Sequence, residues 1–350
     1  MLNYLSSFFQ QDSGSGADIY IDLGTANTLV AVRDLGVVIN EPSLVAFTES
    51  SPRRRKILGV GLQAQDKMDK NPGNVIFQKP VKDGVIADFD STQVMLKHFL
   101  QEASQKCKKF RPRVVVSLPY GVTEVEKKAV IAACSQAGAS RTYLIDEPMA
   151  AAIGAGLPVR EAKGHMIIDI GGGTTEVAVI ALADIVYCEP VRIGGHKFDE
   201  AILQYFKDVK NMIITEKQAE RLKIELGTAM PKRDIRSSQV QGRDVDTGLM
   251  RTIEVTSEEI GSALQDSILL IINAIHTAIE NTPPELVSDI IESGIVLAGG
   301  GALIRDIDIK IKNEVRLEVR VAPNPLTAIA AGGEIVLKDP KLLEKIQIEV

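Results

Sequence analysis

Two stretches of the chain share one pattern of apolar and polar positions. IYIDLGTANTLVAV at 19–32 and MIIDIGGGTTEVAV at 166–179 each contain an apolar run, an aspartate, a glycine-containing polar turn and a second apolar run. Short apolar runs on both sides of a tight turn are typical of paired strands. The repetition, about 150 residues apart, predicts two similar domains that face each other. A ligand would then lie in the cleft between them.

Further apolar runs predict more strands, and longer mixed segments predict helices. Strands are expected at 36–47, 113–119, 185–195 and, as the last strand, 294–300. Helices are expected at about 90–105, 123–137, 198–208, 215–227 and 257–280. This alternation of strands and helices favours an α/β fold.

Composition narrows the class of protein. With 46 acidic and 40 basic residues the net charge is −6, so we expect no nucleic-acid partner. The three cysteines fit neither a disulfide framework nor a zinc site and indicate a reducing cytoplasm. No apolar run reaches about 18 residues and the N-terminus lacks a basic region, so neither a membrane span nor a signal peptide is expected.

The two turns have the chemistry of a phosphate site. Gly24, Thr25, Ala26 and Asn27 in the first copy offer closely spaced backbone N–H groups and small side chains. The second copy offers Gly171, Gly172, Gly173 and Thr174. No Walker sequence is present, and a strand rather than a helix follows each turn. The alternative is that each motif is only a hairpin turn, but two matched copies make this less favourable.

Each copy also contains one aspartate at the end of its first strand. Two carboxylates would repel a polyphosphate unless a divalent cation lay between them. Mg²⁺ held through water by Asp22 and Asp169 satisfies this requirement. Elsewhere, GGGAL at 299–303 would let an adenine lie against bare backbone. Glu220 and Lys223, three residues apart on a helix, either reach ribose hydroxyls or form an ordinary surface ion pair.

Several motifs together resemble the MreB family of bacterial actin homologues. In chain order they are DLGTANT, PGN with KPVKDGVIADF, DEPMAAAIGAGLP, DIGGGTTEVAV, GGHKFDEAI and GGGALI, between about residues 18 and 340. The resemblance implies an actin-like ATPase fold with two similar domains around a nucleotide cleft. It implies domain I at 18–150, with a small subdomain at about 40–85, and domain II at 151–340, with a small subdomain at about 190–260. Residues 1–17 would be an appendage with a linker, and 341–350 a tail.

The same resemblance implies ATP and Mg²⁺ as cofactors and assigns roles to residues. Glu147 would orient the attacking water, with Thr174 as a second contact; from the sequence alone, Glu147 is equally a helix N-terminal acid. The nucleotide contacts implied are Asp22, Gly24, Thr25, Ala26, Asn27, Asp169, Gly171, Gly172, Gly173, Gly194, Gly195, Glu220, Lys223, Gly299, Gly300, Gly301, Ala302 and Leu303.

The family couples ATP to self-assembly into antiparallel double filaments at the inner face of the cell membrane, where it guides cell-wall synthesis. Val125, on the predicted helix at 123–134, maps to the lateral contact, although the helix also reads as plainly amphipathic. RodZ and MreC are partners that the family implies.

Two segments are candidates for contact with an anionic membrane. Leu2, Leu5, Phe8 and Phe9 form one apolar face if the first residues are helical. Phe110 lies among basic residues at 106–113, a segment that is otherwise a solvated loop.

The sequence departs from the family pattern at His196, at LPYG (118–121) and in the basic segment 51–56. Other functions stay open. They are a different actin-like filament, for DNA segregation or organelle positioning, a small-molecule kinase of the same fold, and a chaperone ATPase. The last two would need a substrate pocket or a substrate domain that the sequence does not contain.

Overall fold

The computed structural model describes residues 18–48, 56–70, 73–82, 84–108 and 111–350. The strands in the first half are β1 (Ile19–Leu23), β2 (Asn27–Val32), β3 (Gly36–Pro42), β4 (Val45–Thr48), β5 (Ile57–Val60), β6 (Val75–Gln78), β7 (Val81–Lys82), β8 (Val85–Ile86), β9 (Arg113–Leu118) and β10 (Arg141–Asp146). The helices are α1 (Leu62–Asp69), α2 (Phe89–Cys107), α3 (Glu124–Gln136) and α4 (Glu147–Gly154).

The second half continues with β11 (His165–Ile170), β12 (Thr175–Ala181), β13 (Asp184–Val191), β14 (Met212–Ile213), β15 (Ser237–Asp244), β16 (Met250–Thr256), β17 (Ile295–Ala298) and β18 (Val319–Val321). Its helices are α5 (Gly195–Asp208), α6 (Glu216–Leu226), α7 (Ser257–Glu280), α8 (Pro284–Ser293), α9 (Ile307–Val315), α10 (Ala328–Lys338) and α11 (Pro340–Ile346). Short 3₁₀ helices lie at Gly300–Leu303 and Pro325–Thr327.

Two five-stranded sheets of the same topology form the centre of the molecule. The first has the strand order β10-β9-β1-β2-β3, and the second, from the other edge, is β18-β17-β11-β12-β13. In each sheet the first three strands along the chain form an antiparallel meander, and the next two pair in parallel. The predicted duplication is therefore present in the topology, and the α/β fold class is confirmed.

Alternation along the strands directs every second side chain to the space between the two sheets. Ile19 and Ile21 of β1 pack against α2 and α3 on the outer face, whereas Tyr20 and Asp22 point inward. In β11, Ile168 packs outward against α5, α6 and α7. The aspartates at the strand ends consequently lie on the facing sides of the two sheets.

Helices α4 and α10 fill the space between the sheets. Their apolar residues form one cluster with residues from both sheets, such as Tyr20 and Ile167. The chain thus returns near its end to pack on the first sheet, and Ile348 N donates to Leu144 O at 2.8 Å. From the sequence, domain II is predicted to extend to residue 340, with 341–350 as a tail, and these boundaries stay predictions. In the structure, α10 and α11 share one apolar cluster with α4 and with Tyr20 of β1.

Smaller sheets extend from each half. Strands β5-β4-β6 form one, β14-β15-β16 another, and β7 pairs with β8 in a short hairpin. The predicted strand at 36–47 was wrong as one unit, because the chain bends at Ser43 and β4 joins a different sheet. The segment 294–300 is not the last strand, since β18 follows it. The predicted helices are all present as α2, α3, α5, α6 and α7.

Helix α7 is, within the described residues, long and apolar enough to cross a membrane by length and composition only. Core helices meet the same criterion, and Ile260, Leu264, Ile268, Ile271 and Ile275 of α7 are buried in the cluster beneath the second sheet. We therefore regard α7 as a core helix.

Candidate functional site

The first turn, between β1 and β2, is held tightly by its own backbone and by one serine. A Cβ atom on Gly24 would lie 2.5 Å from the carbonyl oxygen of Asn27, so this position requires glycine. Ser43 Oγ donates to Gly24 O at 2.6 Å, and Ser43 N donates to Ala26 O at 3.0 Å. Thr28 Oγ1 lies 2.9 Å from Ser43 Oγ. The turn is thus fixed by the bend that ends β3.

The second turn, between β11 and β12, is fixed by the start of α5. Gly171 N donates to Thr174 O within the turn, and Gly195 N donates back to Gly171 O at 2.9 Å. His196 N donates to Gly172 O at 2.8 Å. The backbone of His196 thus contacts this turn, and every residue type except proline can donate that hydrogen bond.

The two turns meet across the cleft. A Cβ on Gly172 would lie 2.9 Å from the Cβ of Ala26. The β7–β8 hairpin reaches the same point, because Gly84 N donates to Thr25 Oγ1 at 3.2 Å and a Cβ on Gly84 would lie 2.9 Å from Thr174 Cγ2. The residues predicted to bind the phosphates are therefore brought together.

Four acidic side chains are buried where the turns meet. Asp22, Glu147, Asp169 and Glu176 are each less than a tenth exposed. Each has one carboxyl oxygen without a hydrogen-bond partner among the described residues. Such groups are costly to bury unless a ligand or ion supplies partners.

Burial raises the pKa of all four groups. The pKa of Asp22 rises to about 7, through burial and then through the charge of Asp169. Burial alone raises the pKa of Asp169 to about 7 and is the main cause that raises that of Glu176 to about 8. For Glu147 the pKa lies well above its usual range because of burial and then the charge of Glu176. The cluster therefore favours a cation between its members.

The donors fit a cation that is held largely through water. In the part of the chain that the structure describes, no group of three or more His, Cys, Asp or Glu residues is arranged as a direct metal site. Asp22 and Asp169 nevertheless face each other across the cleft with unpartnered Oδ1 atoms. Mg²⁺ commonly binds through one or two carboxylates, waters and phosphate oxygens, which suits this pair.

The glycine cluster at 299–303 packs on the end of β11. Gly299 has a φ of +79°, and a Cβ there would lie 2.7 Å from Asp169 Oδ1. A Cβ on Gly301 would lie 2.1 Å from Ile170 Cγ2. Gly300 and Leu303 are exposed, whereas Ala302 is buried. The cluster thus lies at the same end of the cleft as the second turn.

Lys223 and Glu220 of α6 have different surroundings. Lys223 Nζ lies 2.9 Å from Asp199 and donates to Gly195 O at 3.1 Å, so it fastens α6 to the start of α5. A Cβ on Gly195 would lie 3.3 Å from this ammonium nitrogen, whereas one on Gly194 would lie 2.7 Å from Gly171 O in the second turn. Glu220 is exposed and forms no ion pair with Lys223 in the structure. Their predicted contact with ribose stays a prediction.

Glu147 is the first residue of α4, directly after Asp146 and before Pro148. Its position at a helix N-terminus fits one of its two predicted roles. Its Oε1 is buried and has no hydrogen-bond partner among the described residues, which is compatible with the predicted catalytic role.

Val125 lies in the first turn of α3 and is 78% exposed, the largest value among the exposed apolar residues that the structure describes. The predicted membrane residues Leu2, Leu5, Phe8, Phe9 and Phe110 lie outside the described residues.

Sequence reasoning missed Glu176, Ser43 and Gly84. Glu176 occupies the position of Leu29 in the other copy of the repeat, since Asp169 pairs with Glu176 and Asp22 with Leu29. The sequence did contain a signal for Glu176, because a charged residue stands in an apolar strand at the position where the first copy of the repeat has leucine. Ser43 and Gly84 are distant in the chain from the turns they contact, and no local pattern identifies them.

The chain is similar to known proteins. The chain matches the family described as MreB/Mbl protein over residues 16–345. It is 48% identical to the cell shape-determining protein MreB of Escherichia coli (strain K12) over 318 residues, which cover 90% of this chain and 92% of that protein. It is 42% identical to the cell shape-determining protein Mbl of Bacillus subtilis (strain 168) over 328 residues, covering 94% and 98%.

Solved structures agree. MreB5 of Spiroplasma citri bound to ADP has a TM-score of 0.86 at 37% identity, covering 92% of this chain and 96% of that one. The MamK double helical filament has a TM-score of 0.76 at 18% identity, covering 92% and 99%, and shows the fold alone. With actin-like topology in both sheets and a family match along nearly its whole length, this chain belongs to the MreB/Mbl protein family.

Proposed function

We propose that this protein is an ATP-dependent, actin-like cytoskeletal protein that assembles into membrane-associated antiparallel double filaments and maintains cell shape by guiding cell-wall synthesis. The observation that carries the proposal is the pair of matched turns that meet across a cleft lined by Asp22 and Asp169. The cell shape-determining relatives and the ADP-bound MreB5 structure support it. A further MreB5 structure is bound to AMPPNP, at 36% identity to this chain.

The chain's own groups suit ATP hydrolysis. The backbone N–H groups of the two turns would bind the phosphates, and the glycine cluster at 299–303 would receive the base. Mg²⁺, held through water by Asp22 and Asp169, would neutralise phosphate charge when bound. Glu147 would accept hydrogen bonds from the attacking water and orient it, with Thr174 as the second contact.

Location and partners are part of the same proposal. A cytoplasmic protein bound at the inner face of the membrane would use the apolar residues near the N-terminus and Phe110, and many weak contacts along a filament act together. Partners of the RodZ and MreC type, and no nucleic acid, would complete the assembly. The test is co-sedimentation with anionic liposomes. Changing Leu2 and Phe9 to serine should release the filaments from the liposomes without dissolving them.

Assembly is tested by electron microscopy of the purified protein with Mg²⁺–ATP, with and without anionic liposomes. Paired filaments are the expected result, and a nucleotide-bound monomer that never assembles would contradict the proposal. Val125→Glu should separate the pairs into single protofilaments, because a charge would replace an exposed apolar contact. Ile224→Glu is the matched control: Ile224 is 74% exposed on α6, and its replacement should leave the pairs intact.

Catalysis is tested with Glu147→Ala and Glu147→Gln. Loss of a positioned general base lowers the rate by roughly 100-fold or more, whereas ATP binding should change little. Filaments should persist while phosphate release stops. Single-turnover hydrolysis and equilibrium ATP binding separate the two effects, and an unchanged hydrolysis rate in both variants would remove Glu147 from the mechanism.

A further inference from the structure

Glu176 is an acidic residue in a buried strand whose other residues, apart from Thr175, are apolar. Thr175–Ala181 forms β12, every residue of which is buried, and Glu176 is 1% exposed. It lies directly opposite Asp169 on β11. Opposed residues on antiparallel strands have side chains on the same face, and like charges there are destabilising. The matching copy of the repeat has Leu29 opposite Asp22, so the fold itself does not need an acid at this place.

The carboxyl group of Glu176 crosses from the second sheet to the first half of the molecule. Its Oε1 accepts a hydrogen bond from Tyr120 N at 2.6 Å. Tyr120 lies in the loop between β9 and α3, next to Pro119. This side chain therefore ties the end of a strand in the first sheet to the strand that follows the second phosphate turn.

The other oxygen of Glu176, Oε2, is buried and has no partner within the described residues. The side chain shares the inner face of the second sheet with Asp169, at the end of the cleft where α4 begins with Glu147.

We propose that Glu176 is a positioning residue of the cleft, which clamps the Pro119–Tyr120 loop of the first half to the second half of the molecule. This inference rests on the ATPase function proposed above. Closing of the cleft around a nucleotide would then depend on this one side chain. Glu176 acts through Tyr120.

Two variants separate the clamp from the charge. Glu176→Gln keeps an oxygen that can accept the hydrogen bond from Tyr120 N but removes the charge. Glu176→Leu copies Leu29 and removes both. Glu189→Gln, on the neighbouring strand β13, is the matched control, because its carboxyl group only accepts a hydrogen bond from Tyr187 Oη.

Three measurements are made on the full chain. Amide hydrogen exchange at Tyr120 in the nucleotide-free protein reports the clamp directly. Release of a fluorescent ADP analogue reports cleft opening, and single-turnover ATP hydrolysis reports the chemical step. In Glu176→Leu we expect faster exchange at Tyr120, about tenfold faster ADP release and about tenfold or more slower hydrolysis.

In Glu176→Gln we expect protection at Tyr120 and ADP release close to those of the unmodified protein. Recovery in this conservative variant distinguishes the hydrogen bond to Tyr120 N from a general effect of replacing a buried residue, because the glutamine retains the accepting oxygen.

The proposal is overturned if Tyr120 exchanges equally in Glu176→Leu and the unmodified protein. It is also overturned if Tyr120 exchanges as fast in Glu176→Gln as in Glu176→Leu. If the unmodified protein does not hydrolyse ATP, the proposed function fails, but exchange at Tyr120 still decides whether the clamp exists.

Discussion

At the scale of single residues, the molecule concentrates buried acids at one point. Asp22 and Asp169 lie on the facing sides of two sheets, and Glu147 and Glu176 complete the group. Their raised pKa values mean that the folded chain without a cation retains protons that the unfolded chain releases. The proposed nucleotide and divalent cation would make this arrangement favourable.

The acids predict how stability depends on pH. Unfolded Asp and Glu ionise near pH 4, whereas Asp22 and Asp169 in the fold have pKa values of about 7 and Glu176 of about 8. The stability that the protonated groups contribute is complete below pH 4 and is lost as pH rises to about 8. The melting temperature of the nucleotide-free protein should therefore carry a falling contribution between pH 5 and 8.

Asp169→Asn should flatten this dependence, and Mg²⁺–ATP should oppose it by providing a cation for the ionised groups. Glu254→Gln, at an exposed position on β16, is the control and should leave the slope unchanged. A slope that is identical in Asp169→Asn and in the control would show that the buried acids do not govern stability in this range.

Residues were predictable where the chemistry was local. Asp22, Gly24 and the glycines of the second turn follow from strand, turn and strand within a few positions. Glu176 was not predicted because one acid before the apolar run 177–179 matches no sequence motif. Its hydrogen-bond partner, Tyr120, lies in a loop that is distant in the chain.

At the scale of elements, α4 and α10 cross with their backbones nearly in contact. A Cβ on Gly154 would lie 1.8 Å from Ala328 O, and one on Gly332 would lie 1.9 Å from Ala150 O. Close approach of this kind requires the absence of a side chain on both helices. The two helices fill the space between the sheets, so the distance between the helices determines how close the sheets lie at the base of the cleft.

Gly332→Ala should destabilise the protein by about 1–3 kcal/mol, because overpacking against a backbone carbonyl outweighs the better helix propensity of alanine. Urea unfolding of the nucleotide-free protein measures this. Ile335→Ala on the exposed side of α10 should change stability by no more than about 0.5 kcal/mol. Equal effects of the two substitutions would mean that the helices can move apart at little cost.

At this scale, the elements that the sequence predicted were those with regular spacing of apolar residues. The helices α2, α3, α5, α6 and α7 were expected because their apolar spacing is regular, and α3, α6 and α7 also begin with a capping box. The packing of α10 on the first sheet was not predictable, because local spacing does not record which sheet a helix returns to. The bend at Ser43 was missed for the same reason: β3 and β4 read as one apolar run, and their separation is set by the turn that Ser43 supports.

At the scale of the whole molecule, the two halves touch at both ends of the cleft. The phosphate turns and Glu176 make buried contacts at its base. At the opposite side Lys217 of α6 pairs with Asp69 of α1 at 3.1 Å, and both side chains are largely exposed. The buried contacts should therefore govern opening, with the outer ion pair as a minor addition.

Loss of the exposed ion pair between Lys217 and Asp69 should have only a small effect on ADP release. Asp69→Asn or Lys217→Gln should speed ADP release by no more than about threefold, since exposed ion pairs contribute about 0–1 kcal/mol. The effect should disappear in roughly 0.5 M salt, where screening acts within a few ångströms. Asp66→Asn is the matched control, because Asp66 pairs with Lys70, the residue directly after α1, and this pair does not cross the cleft. If Asp69→Asn releases ADP at the same rate as this control at low salt, the outer pair has no part in holding the cleft. If Asp69→Asn speeds ADP release more than Glu176→Leu does, the outer ion pair rather than the buried contacts governs opening of the cleft.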